Sequence, residues 1–124
     1  MGIITPMGFF SIVQKPSDVA TGTLTVRARV RSDLEAFQDA VLPGLGPLTE
    51  SKTTDYRFRA VAPRALVEAA MAKLTTQLDY SNFKSQVAKV QGSKRAHIYH
   101  DVWDVLYRMR GASCLRDEAQ AGRP

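Results

Sequence analysis

The sequence predicts an α+β fold, an antiparallel sheet of three or four strands with helices packed on one face. Three observations carry that prediction. The stretch "LTVRARVR", Leu24 to Arg31, alternates between apolar and hydroxyl or cationic side chains, the period-2 pattern of a strand with one dry and one wet face. The stretch "PRALVEAAMAKLTTQLD" places Leu66, Val67, Ala70, Met71, Leu74 and Leu78 on one stripe at helical spacing. A chain of 124 residues that is 44% hydrophobic and 23% charged is long enough to bury one core and too apolar to stay disordered.

In chain order, "GFFSIVQK" from Gly8 to Lys15 reads as an aromatic and β-branched strand closed by Pro16, and "SDVATG" as a turn. The Leu24–Arg31 strand follows, hairpinned with the first. Leu24, Val26, Ala28 and Val30 point one way, and Thr25, Arg27, Arg29 and Arg31 the other. Ser32 and Glu35 have the spacing of a capping box, and Leu34, Phe37 and Val41 recur as the apolar stripe of a helix that Pro43 ends. A short strand falls near Leu48 to Lys52. "DYRFRAVA" then alternates, with Tyr56, Phe58 and Ala60 on one side and Arg57 and Arg59 on the other. Pro63 opens the long helix. Phe83, Val87 and Val90 fit a short helix ending at Gly92, and "RAHIYHDVWDVLYRMR" a final one. The order of elements fits a ferredoxin-like variant with a helical C-terminal extension. A single domain is expected over 8–110, with a polar, flexible tail over 111–124.

Seventeen Lys and Arg against twelve Asp and Glu give a formal charge of +5 and favour an acidic or polyanionic partner. Cys114 is the only cysteine, so an internal disulfide is excluded and a cytoplasmic, reducing setting is expected. No stretch has the length and apolarity of a membrane span, and Pro6 stands where a myristoylation motif wants Ser or Thr. Neither a phosphate-cradling glycine motif nor a cofactor motif is present, so no cofactor is expected.

Two constellations remain. Arg27, Arg29 and Arg31 project from one strand and Arg57 and Arg59 from another, so that a shared sheet would make them one basic surface suited to phosphate. A sheet's solvated face also simply needs polar side chains, and the aromatic strand signature of an RNA-recognition motif is absent. On the last helix, His97, His100, Asp101 and Asp104 share the face opposite Ile98, Val102, Val105, Leu106 and Met109, with Trp103 at the margin. The pairs His97–Asp101 and His100–Asp104 have i,i+4 spacing and are the candidates for a metal or acid/base site. A zinc centre wants a third ligand from elsewhere, so an ordinary solvated face is the plainer reading. The apolar side should be dry and packed, and the His/Asp side wet.

The blocks "GFFSIV", "LTVRARVRSDLEAF", "TDYRFRAV", "DYSNFKSQVA" and "YHDVWDVLYRM" together resemble a widespread set of small bacterial and phage-associated proteins that carries no known activity. The likeness runs from Gly8 to Met109, leaving "MGIITP" and the tail outside it. It implies a compact cytoplasmic protein and transfers no residue roles. The leading expectation is therefore a non-enzymatic binding protein whose basic sheet face, Arg27, Arg29, Arg31, Arg57 and Arg59, contacts nucleic acid or an acidic ribonucleoprotein surface. In a phage-encoded member that activity would inhibit a host nucleic-acid machine. The alternatives are a small metal-assisted hydrolase or nuclease using the His/Asp face, and a protein-interaction module or homodimer that binds no nucleic acid.

Overall fold

The computed structural model describes residues 1–111, and the chain divides into two compact units, Met1–Ser81 and a second from Asn82 onward, where one domain over 8–110 was expected. Of the tail expected at 111–124, all but Gly111 lies outside the described residues, Cys114 included.

The first unit is the α+β body. Five strands, β1 (Gly2–Thr5), β2 (Gly8–Val13), β3 (Thr23–Ala28), β4 (Thr49–Glu50) and β5 (Phe58–Pro63), form one antiparallel sheet in the order β1-β2-β3-β5-β4. Helices α1 (Pro16–Thr21), α2 (Arg31–Ala40) and α3 (Arg64–Thr76) interrupt it. Because β3 and β4 both run antiparallel to β5 and flank it, the β3-α2-β4 segment is a split β-α-β unit of the ferredoxin-like kind. The strand on the other side of β3 is β2, which precedes it in the chain. The residues 2–5 that fell outside the sequence likeness supply the edge strand, with Ile3 opposite Phe10 and Ile4 opposite Phe9.

Alternation fixes which face is dry. Phe10 and Ile12 of β2, Val26 and Ala28 of β3, and Phe58, Ala60 and Ala62 of β5 turn one way and meet Leu34, Phe37 and Val41 of α2 and Val67 and Ala70 of α3, all of them buried. Phe10 and Phe37 are fully buried and their rings lie 4.6 Å apart between centroids, a tilted pair at the centre of the core. Gly8 is needed where β2 meets α2, because a Cβ there would fall 2.5 Å from Cγ of the buried Asp33, whose carboxylate accepts the N–H of Phe9.

Several local expectations shift. "SDVATG" is helix, not turn, with Pro16 at its first position and Asp18 at its third. Strand β3 stops at Ala28, Val30 is the N-cap of α2, and Arg31 is already helical, so the Ser32 to Glu35 capping box does not form. Leu66 and Leu78, expected on the dry stripe of the long helix, are 42% and 53% exposed, Leu78 lying beyond the end of α3, and the buried side narrows to Val67 and Ala70 with Met71 and Leu74 partly covered.

The described part of the second unit is a helical hairpin, α4 (Phe83–Gln91) and α5 (Ser93–Tyr107), followed by a 3-10 turn, Arg108–Gly111. Asn82 caps α4 by accepting the N–H of Ser85 at 2.9 Å, and Gly92 joins the helices at a left-handed φ of 93°. Phe83 stacks on Tyr99 and Trp103, with ring centroids 6.1 and 5.4 Å away. Among the described residues of this unit, Val87 and Tyr99 are the buried ones.

Candidate functional site

The face of the sheet turned away from α2 and α3 carries Phe9, Ser11 and Val13 of β2, Thr23, Thr25 and Arg27 of β3, and Arg59 and Val61 of β5. The pairing register lines up one row straight across four strands: Ser11 opposite Arg27, Arg27 opposite Arg59, and Arg59 opposite Thr49. Two arginines therefore stand side by side on neighbouring strands. Like charges placed directly opposite each other destabilise a sheet by up to about 1 kcal/mol.

The neighbours of this pair are hydroxyls, carbonyls and a ring. Arg27 donates through Nη2 to Oγ of Ser11 at 2.7 Å, and its guanidinium lies 4.5 Å from the ring centroid of Tyr56. Arg59 donates through Nη2 to Oγ1 of Thr54 at 2.9 Å and to the carbonyl of Tyr56 at 3.2 Å. The Nε of each is buried without a hydrogen-bond partner. Neither arginine has a carboxylate within ion-pair distance among the described residues.

The other three arginines are compensated. Arg29 grips Asp55 with two hydrogen bonds, of 3.2 and 2.7 Å, and stacks 4.3 Å from the Tyr56 ring. The hydrogen bond from Arg29 holds the Asp55 carboxyl below the ordinary carboxylate range, and the same bond raises the pKa of Arg29. Arg57 pairs with Glu50 at 2.7 Å, and its hydrogen bond lowers the Glu50 pKa. Arg31 approaches Glu35 at 4.0 Å. Arg31 and Arg57 lie against Phe58, whose ring belongs to the helix-covered face, with centroid distances of 5.4 and 5.6 Å. β3 and β5 do share a sheet and are neighbours, yet the five arginines separate: Arg27, Arg29 and Arg59 around Tyr56, Arg31 and Arg57 around Phe58.

Beside Arg59 the open face sinks into a groove of about 760 Å³, lined among others by Lys15, Ser17, Thr25, Thr49 and Val61. One wall is the 46–47 loop, held by a hydrogen bond of 2.8 Å from the Gly46 N–H to the Val61 carbonyl. A Cβ at Gly46 would sit 2.9 Å from that oxygen. The opposite wall is the start of α1, tied down by Asp18. The buried carboxylate accepts from Thr23 Oγ1 at 2.6 Å, Thr25 Oγ1 at 2.8 Å and the Lys15 N–H at 2.8 Å. Burial alone would raise its pKa, but the hydrogen bonds from Thr23, the Lys15 N–H and Thr25 outweigh that and hold it below the ordinary value. Lys15 is thereby fixed at the groove, and its ammonium has no carboxylate within ion-pair distance among the described residues.

Sequence reasoning missed Ser11, Thr49 and Tyr56. Alternation sets Tyr56 on the side of Phe58 and Ala60, but β5 begins only at Phe58, so Tyr56 sits in the preceding loop and its ring lies against Arg27 and Arg29.

The His/Asp face of α5 is wet, with His97, His100, Asp101 and Asp104 all exposed. Of the two i,i+4 pairs only His100–Asp104 approaches, at 3.5 Å, and Nδ1 of His100 is 2.6 Å from the Lys84 ammonium. A cation on Nδ1 occupies one of the two nitrogens a metal would use. Among the described residues no group of three or more His, Cys, Asp or Glu is placed to hold a metal ion. The expectation that the apolar side of this helix be dry is not met, since Leu106 and Met109 are 48% and 65% exposed. No helix among the described residues is long and apolar enough to cross a membrane.

No protein-family model, curated protein or solved structure matches the chain.

Proposed function

We propose that this is a non-enzymatic binding protein whose open sheet face takes the phosphate backbone of a nucleic acid. The supporting observation is the Arg27–Arg59 pair: two half-buried guanidiniums directly opposite one another, with no carboxylate within ion-pair distance of either among the described residues and with unpartnered Nε groups. Such a pair costs the fold energy when empty, and an anion lying across it removes the repulsion while accepting from both forks. Lys15 extends the positive charge along the groove, and the Ser17 hydroxyl adds a neutral donor suited to phosphate oxygens. Tyr56 and Phe9 are taken up by Arg29, so the aromatic rings serve as platforms for arginine. The reading is accordingly one of backbone contact with little base selectivity. A cytoplasmic, bacterial or phage setting, with interference in a host nucleic-acid machine, belongs to the same proposal.

Fluorescence anisotropy with labelled single- and double-stranded oligonucleotides across a salt series tests it. Binding that weakens with salt, and is lost in Arg27→Glu/Arg59→Glu, is expected. Wild-type protein that binds neither oligonucleotide at low salt, but binds an acidic polypeptide, would assign the face to a protein partner instead.

A further inference from the structure

The second unit bears an apolar stripe that its own packing leaves open. Along α5 and into the following turn, Ile98, Val102, Val105 and Met109 are spaced by four, three and four residues, the a/d rhythm of a two-helix seam. At about 100° per residue this stripe lies roughly 110° around the helix from Tyr99 and Trp103, the residues that stack on Phe83 of α4. Ile98 and Val105 are 52% and 54% exposed. With exposed Leu106 at its margin, the stripe is one helix face wide and keeps the regular spacing that a single partner helix fits.

The charges beside the seam identify that helix. Asp101 and Arg108 flank it on the same side, and neither has an ion-pair partner among the described residues. The backbone of Arg108 is still helical, with φ −58° and ψ −24°, so the helical path reaches it. In an antiparallel pairing about a two-fold axis, Val102 packs on Val105 of the second copy and Ile98 on its Met109. That register sets Asp101 of each copy beside Arg108 of the other, giving two opposite-charge pairs by symmetry. In a parallel pairing Asp101 would face Leu106 and no ion pair would form. The stripe and its flanking charges are thus complementary to themselves when one copy is inverted.

We propose that α5 is a homodimerisation helix that docks antiparallel on α5 of a second copy. The seam is only three turns long and falls short of the roughly 800 Å² per partner of a standard interface, so the association is concentration-dependent, on the order of micromolar. Neither the basic groove nor any nucleic acid is needed for it.

Sedimentation velocity of the full chain over a two-decade concentration series is the test, with circular dichroism checking that each variant keeps its helices. The wild type is expected to pass from monomer to dimer. Asp101→Arg and Arg108→Asp should each weaken the dimer about tenfold, by turning two attractions into two repulsions, and the double reversal should restore it. Val105→Asp should abolish it. A wild type that stays monomeric throughout, a dimer indifferent to the single reversals, or a double reversal that fails to recover would each overturn the proposal.

Discussion

Replacing Asp18 probes the joint that holds α1, and with it Lys15, against the sheet. In Asp18→Asn the new amide group is best accommodated toward Thr23, whose hydroxyl can rotate to accept. The retained carbonyl oxygen then keeps Thr25 and the Lys15 N–H, which can only donate. What is lost is the charge on the acceptor, which makes such bonds about twice as strong, so the expected cost at neutral pH is about 1–2 kcal/mol. Asp18→Ala removes every acceptor and strands the buried Thr25 hydroxyl and the Lys15 N–H, for about 3–4 kcal/mol. The pH dependence has a definite sign. The folded-state pKa of Asp18 is lowered, so its contribution is complete above the unfolded-state pKa of about 4 and is lost as pH falls through the folded value. Urea unfolding of wild type and Asp18→Asn at neutral pH and at steps below about pH 4 should show the stability gap closing on acidification. A gap that is absent at neutral pH, or that widens as the pH falls, would refute the account of this carboxylate.

Gly8→Ala drives a methyl group into the Asp33 carboxyl and should cost about 1–3 kcal/mol in thermal or urea unfolding, whereas Gly22→Ala, whose Cβ meets nothing, bears only the strain of its left-handed φ. Arg59→Gln removes one member of the like-charge pair along with its bonds to Thr54 and the Tyr56 carbonyl. The opposing effects should leave stability within about 1 kcal/mol of wild type while oligonucleotide affinity falls roughly tenfold at low salt. Asp55→Asn releases Arg29 from its carboxylate and should tighten oligonucleotide binding severalfold, with a steeper salt dependence, as read by anisotropy.

The parts of the fold legible in the sequence were those fixed by period and burial together. Leu34, Phe37 and Val41 made one helical stripe and are buried, and Leu24, Val26 and Ala28 alternate into the core as the pattern required. Capping and tertiary choices were not legible. Pro16 served equally as the end of a strand or the start of a helix, and the carboxylate of Asp18, bonded to threonines on the next strand, decides for helix. Arg31 continued an alternating run but belongs to α2, because the chain turns at Val30. The candidate site was half legible. Two arginine-bearing strands could be read, but the row that sets Arg27 against Arg59 depends on which strands are neighbours, and single-strand periodicity does not contain that. On α5 the wet face was correctly placed by its angular position, while the dryness of the opposite face depended on what covers it, which amphipathicity does not specify.

The salt dependence of oligonucleotide binding tests the central claim most directly. Among the described residues Arg27, Arg59 and Lys15 are cations of the open face and groove with no carboxylate within ion-pair distance, and three phosphate contacts to a single strand correspond to a log–log salt slope of about −2. Wild-type protein should give a slope near that value, and Arg27→Gln/Arg59→Gln should bring it to about −0.7 with weaker binding at every salt concentration. A wild-type slope that the double substitution leaves unchanged would place any nucleic-acid contact elsewhere on the molecule and contradict the assignment of this face.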